Sequence, residues 1–151
     1  MSTFEVSRST SIAAPPEKIL GLVNDFHEWR KWSPWEDIDP NLQRTYSGAD
    51  AGVGARYAWK GNRKAGQGAM EITASTPHRV DVALSFVKPF KAENDVVLAI
   101  TPAGDGSEVT WTMTGEQKGL AALFGKIVSM DRLVGKDFEN GLARLKLAAE
   151  G

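Results

Sequence analysis

The sequence predicts an α+β fold: one curved antiparallel sheet of about seven strands, two short helices after the first strand, and a long C-terminal helix laid across the sheet. Three observations predict it. Consecutive runs separated by short turn sequences alternate apolar and polar residues with a period of two, the pattern of half-buried strands. A proline-led segment at helical spacing follows the first of these runs. From Leu123 onward the period changes to that of an amphipathic helix.

In the first run Phe4, Val6, Arg8, Thr10 and Ile12 share one face, with Glu5, Ser7, Ser9 and Ser11 on the other. Ala14-Pro15-Pro16-Glu17 stops this strand and starts a helix. Proline suits the first helical turn, and Glu17 complements the positive helix N-terminus. Ile19, Leu20, Val23 and Phe26 follow at helical spacing, and Trp29 and Trp32 extend the series. Pro34 pushes Ser33 into extended geometry, so the helical stretch should end near Trp32 or Ser33. Trp35 then lies beyond it, in a loop with Asp37, Asp39 and Pro40.

The next signals are β. Leu42 to Tyr46 is a short strand candidate. Val53, Ala55, Tyr57 and Trp59 form one inward set, and Gly61-Asn62 supplies a turn. Gly68, Met70 and Ile72 form the next set, ended by Pro77. Val80, Val82, Leu84 and Phe86 follow, up to Pro89. Ala92, Asn94, Val96, Leu98 and Ile100 precede the turn at Pro102, Gly104 and Gly106, and Val109, Trp111 and Met113 come last. Short turns between successive runs favour an antiparallel meander. At about 100° per residue, Leu123, Ile127, Met130, Val134, Phe138, Gly141 and Leu145 fall on one broad helical face, with an interruption expected near Gly125 or Ser129. A helix cannot fill a strongly bent sheet, so the gap between the two becomes a cavity.

Composition narrows the function. The 151 residues suit one domain, 1–151, with a real core and no need of staples. A hydrophobic content of 42%, a charged content of 25% and a formal net charge of -1 give no basic stripe for nucleic acid. Lys60, Arg63 and Lys64 read as a solvated hairpin tip. The absence of cysteine excludes disulfides, thiolate catalysis and cysteine metal sites. The N-terminus lacks the basic and apolar regions of a signal peptide, and no window approaches a membrane span, so a cytoplasmic location is expected.

Motif chemistry is sparse. His27 and His78 stand far apart, and a metal takes three or four clustered ligands, so neither a metal site nor a cofactor is expected. Glu36, Asp37 and Asp39 lack the glycine and loop pattern of a calcium site and read as a solvated loop. The glycines of SGADAGVGA at 47–55 lack GxxxxGK[ST] and precede a strand, so a turn and bulge is the reading. No GxSxG nucleophile elbow occurs.

The apolar residues say more. Tyr57, Trp59, Phe86 and Trp111 lie on inward faces, and with Met70, Met113 and Met130 they make an adaptable apolar lining of the kind small-ligand pockets use. Among them stand a few polar groups: Asn94 beside Val96 and Leu98, Asp137 at the margin of the helix face, and Arg8 between Val6 and Thr10. Buried polar groups need partners, supplied by protein or by ligand. Gly141 either permits close helix–sheet contact or leaves room for ligand. In HEWRKWSPW, residues 27–35, Trp29 and Trp32 should close the core and Trp35 should cover the cavity mouth; a partner surface is the alternative.

Several segments, in this order and spacing, resemble the SRPBCC, or START-like, superfamily in its polyketide cyclase/dehydrase branch. They are RSTSIAAPPEKI at 8–19, DFHEWRKWSPWE at 25–36, GVGARYAWKGN at 52–62, GQGAMEI at 66–72, SEVTWTMTG at 107–115 and MDRLVGKDFENGLARLK at 130–146. The resemblance implies the helix-grip fold, a curved antiparallel sheet wrapped on a C-terminal helix, with an apolar small molecule held between them. The ligand-contact set expected on this basis is Trp35, Tyr57, Trp59, Met70, Leu84, Phe86, Asn94, Leu98, Trp111, Met113, Met130, Val134, Asp137 and Gly141. Three functions follow in order: a binder or carrier of a hydrophobic small molecule; a polyketide cyclase- or dehydratase-like enzyme; and a protein-interaction module, since some relatives regulate chaperones. Asp137, Tyr57 and Arg8 are the residues an enzyme would have for acid–base work, and no pair of them is assigned a catalytic role.

Overall fold

In the computed structural model the described residues are 2–36, 39–63, 65–88, 91–117 and 130–151, without the side chains of 2, 3, 116, 117 and 130–133. Seven strands form one antiparallel sheet: β1 (Ser2–Ile12), β2 (Gln43–Gly48), β3 (Ala55–Lys60), β4 (Gln67–Thr76), β5 (Arg79–Lys88), β6 (Ala92–Ala103) and β7 (Gly106–Gln117). Their spatial order is β1-β7-β6-β5-β4-β3-β2. The chain leaves β1 at one edge, crosses through α1 (Pro16–Val23) and a one-turn 3-10 helix (Glu28–Lys31), and enters β2 at the opposite edge. It then meanders back until β7 pairs with β1, Val6 opposite Met113 and Arg8 opposite Trp111. Helix α2 (Met130–Glu150) packs mainly on β1. Register shifts between β4 and β5, at Gln67/Gly68 and Ile72/Ala74, bend the sheet locally. This is the helix-grip arrangement. No helix among the described residues is long and apolar enough to cross a membrane.

The period-two faces appear as buried rows. Val80, Val82 and Leu84 on β5, Val96, Leu98 and Ile100 on β6, and Val109, Trp111 and Met113 on β7 are all buried. Ile19, Leu22 and Val23 of α1 and Phe138, Leu142, Leu145 and Ala149 of α2 close over one end of these rows. Burying each such aliphatic or aromatic side chain favours folding by roughly 1.5–3 kcal/mol. Trp111 stacks on Phe138 with ring centroids 4.1 Å apart and planes 5° apart, and Trp32 meets Trp111 edge-on at 5.2 Å. This end of the grip is solid.

Three local expectations need correction. The helical series running from Ile19 toward Trp32 breaks after Val23. The Asp25 carboxylate accepts hydrogen bonds from the His27 backbone N–H (2.9 Å) and Nδ1 (2.8 Å), a local turn that competes with helix continuation. The indoles compensate: Trp29 Nε1 donates to Val23 O and Trp32 Nε1 to Leu22 O, each at 2.8 Å, satisfying carbonyls that the helix end leaves without intrahelical partners. Val53, expected to face inward, precedes β3 and is exposed. Glu36 and Asp39, expected in a solvated loop, are buried. Asp39 Oδ1 accepts from the Asn41 N–H and Oδ2 from the Asn62 N–H, both at 2.8 Å, pinning the loop to the β3–β4 hairpin. The helical positions expected at Leu123 and Ile127, and the interruption near Gly125 or Ser129, lie outside the described residues, as do Asp37, Lys64 and Pro89.

Candidate ligand-binding cavity

Where the helices do not fill the bend, a cavity of about 270 Å³ remains. The sheet supplies Tyr57 and Trp59 from β3, Met70 from β4, Leu84 and Phe86 from β5 and Met113 from β7. Val134 and Asp137 reach it from α2, and Phe26, Trp29, Ser33, Trp35 and Glu36 from the segment after α1. Leu42 and Ala65 complete the wall near the β3–β4 hairpin.

Each wall group has a local reason for its place. Trp59 Nε1 donates to Ala65 O at 2.9 Å, which fixes the indole across the hairpin. Its ring lies over Gly68, the residue opposite it in register, where a Cβ would meet Trp59 Cη2 and the Ser85 carbonyl at 2.5 Å. Gly68 is therefore the residue that lets this ring lie flat on the sheet. Trp35 packs edge-on against Trp111 at 5.6 Å and Phe138 at 6.1 Å, and its Nε1 donates to Asp137 Oδ2 at 3.3 Å. The Pro34 ring beside it seats on Gly141. Proline, glycine and indole together hold the loop against α2.

Polar groups gather on the loop side. Glu36 Oε2 accepts from Arg44 Nε at 2.6 Å, and the same guanidinium donates through Nη2 to the Glu36 carbonyl at 3.0 Å. Burial, and then the negative charge of Glu36, pushes the Tyr57 hydroxyl well above the ordinary phenol range, so it stays a neutral donor. Ser33 is buried, and its Oγ accepts from the Trp35 backbone N–H at 3.4 Å. The opposite wall, built from Met70, Leu84, Phe86 and Met113, is apolar.

Of the residues expected from sequence to contact ligand, Trp35, Tyr57, Trp59, Met70, Leu84, Phe86, Met113, Val134 and Asp137 come together on this wall. Leu98 and Trp111 lie on the same inward face but under the solid end, in the packed core. Asn94 is buried against Gly115 of the neighbouring strand, with its Oδ1 where a Cβ would stand. Gly141 is closed by Trp111 and Pro34, so it serves close packing rather than cavity volume. The Met130 side chain is outside the described set. Arg8 is engaged by Glu139, Nε to Oε2 at 2.8 Å, and by the face of Gly135, away from the cavity wall.

Phe26, Trp29, Ser33, Glu36, Leu42 and Ala65 also line the cavity and were not singled out as ligand contacts. Trp29, expected to close the core, also packs on Phe26 at 5.4 Å. The acid at Glu36 and the base at Arg44 stand in a loop and on a strand; tertiary contacts across that separation connect them, which periodicity does not report. Among the described residues no group of three histidines or carboxylates is arranged to hold a metal ion. The arrangement suits enclosure of an apolar body with one polar end.

The family described as "Polyketide cyclase / dehydrase and lipid transport" matches residues 3–150. No curated protein matches the sequence. Several solved structures share the fold. Protein CV1439 from Chromobacterium violaceum superposes with a TM-score of 0.67 at 15% identity, over 99% of this chain and 97% of its own. The KanY protein gives 0.72 at 17% identity over 100% of both chains. The Aha1 dimer from Colwellia psychrerythraea gives 0.68 at 18% identity, over 97% of this chain and 96% of its own. At these identities the likeness establishes the fold.

Proposed function

Because the chain belongs to the polyketide cyclase / dehydrase and lipid transport family, we propose that it binds a hydrophobic small molecule in the cavity between the sheet and the C-terminal helix. The observation that carries this reading is the 270 Å³ hollow itself, walled by aromatic rings, methionines and aliphatic side chains. A core selected only for stability would be close-packed, as the neighbouring Trp32–Trp111–Phe138 end is. The volume lies just below the usual range of ligand pockets, roughly 300–1,000 Å³. That favours a compact molecule of one to a few rings, or a short acyl chain. Met70 and Met113 give the apolar wall adaptable surface.

Binding and carriage is favoured over catalysis because each polar group on the wall is held by a protein contact, Glu36 through Oε2 by Arg44, Asp137 through Oδ2 by the Trp35 indole and Ser33 by the loop backbone, which leaves one oxygen of each carboxylate to a ligand but pairs no acid with a base for proton transfer. The test is titration with N-phenyl-1-naphthylamine, an uncharged probe that fluoresces in apolar surroundings. Saturable enhancement with one site per chain is expected, reduced at least tenfold in affinity by Leu84→Trp, which fills the cavity. Absence of saturable binding, or binding that Leu84→Trp leaves unchanged in a folded protein, overturns the reading.

A further inference from the structure

We propose that the polar end of the ligand is an uncharged hydroxyl, held on the loop side of the cavity, and that the site discriminates against ligands ending in a carboxylate. The inference rests on the cavity being a ligand site and specifies what that site accepts.

The cavity has two unlike sides. One is apolar and suited to a ring system. The other carries two carboxylates, Glu36 and Asp137. Ser33, Trp35 and Glu36 come from one loop, and the Trp35 indole ties that loop to Asp137 on α2, so loop and helix together supply the carboxylates of the lining. Glu36 is more than nine-tenths buried, and only its Oε2 is committed, to Arg44. Among the described residues no hydrogen bond reaches Glu36 Oε1 or Asp137 Oδ1. A ligand that brings a donor to this side finds these oxygens as acceptors, whereas a ligand carboxylate adds a like charge and no donor.

The same side argues against a cation. The Arg44 guanidinium already balances Glu36. The Tyr57 phenol, near Glu36 and Arg44, remains a neutral donor on the cavity lining. An ammonium has donors only, while a hydroxyl donates to a carboxylate and accepts from a phenol through the same oxygen.

The experiment is calorimetric titration of the full chain with four probes sharing one ring system: naphthalene, 2-naphthol, 2-naphthoate and 2-naphthylmethylamine. The expected order places 2-naphthol tightest, about tenfold or more above 2-naphthoate, the size of one good polar contact to a charged group. Asp137→Asn keeps an acceptor for the Trp35 indole but removes a charge, and should shrink the naphthol-to-naphthoate ratio severalfold. Glu36→Gln should do the same where it remains folded by circular dichroism. Binding of 2-naphthoate equal to that of 2-naphthol, tighter binding of the amine, or a ratio unmoved by Asp137→Asn overturns the hydroxyl assignment while leaving the ligand site intact. Failure of all four probes to bind overturns the ligand-site reading and this inference with it.

Discussion

A Cβ on Gly141 would stand 2.8 Å from Trp111 Cζ3 and 2.9 Å from Pro34 Cδ. Both neighbours are rigid rings, and the Trp111 ring is further held by stacking on Phe138. Gly141→Leu should therefore destabilise the protein by about 1–3 kcal/mol, the usual cost of forcing bulk into a packed contact. Chemical denaturation of the unliganded protein checks this, and an unchanged midpoint would mean that space exists where the geometry shows none. The sequence leaves two roles open for this glycine. It sits on the apolar helix face either way, and a helical face does not reveal what stands across from it. Trp59 and Gly68 show the same limit. Each was visible on an inward face, but their direct apposition depends on the β3–β4 register, which two separate hydrophobic patterns do not fix.

At the scale of elements, the three indoles of residues 27–35 divide their work. Trp32 is fully buried, meets Trp29 and Trp111, and donates to the end of α1. Trp35 is half-buried, shares its ring edge with the cavity and ties the loop to α2. Trp32→Ala should cost about 3–5 kcal/mol, as truncation of a buried large aromatic does. Trp35→Ala should cost clearly less and weaken probe binding more. Thermal melts paired with probe titrations separate the two, and equal destabilisation by both would make Trp35 an ordinary core residue. The strands and their buried faces were legible because period two is enforced wherever one face is dry. The break after Val23 was not, because spacing from Phe26 to Trp32 mimics a helix while Asp25 closes a local turn. The burial of Glu36 and Asp39 escapes the sequence for a related reason: acidic loop residues look solvated until the elements they pin are in place.

For the whole molecule, the crossover from β1 to the far edge strand β2 places the tryptophan-bearing segment over one end of a bent sheet. That end is packed solid by Trp32, Trp111 and Phe138, while the other stays hollow. This division explains why inward-facing residues shared two fates. Leu84 and Met113 line the cavity, whereas Leu98 and Trp111 on adjacent strands fall under the helices. Sequence marks the inward face, and the position of the bend decides which part of it is left uncovered. The five tryptophans supply a direct readout, since each gives its own indole N–H resonance. Trp29, Trp35 and Trp59 line the cavity; Trp32 and Trp111 do not. In proton–nitrogen correlation spectra of the protein titrated with 2-naphthol, the Trp35 and Trp59 signals should shift furthest and saturate together, with Trp29 following and Trp32 and Trp111 least affected. Shifts confined to surface amides, or no indole shift at saturating probe, would contradict a ligand site inside the grip.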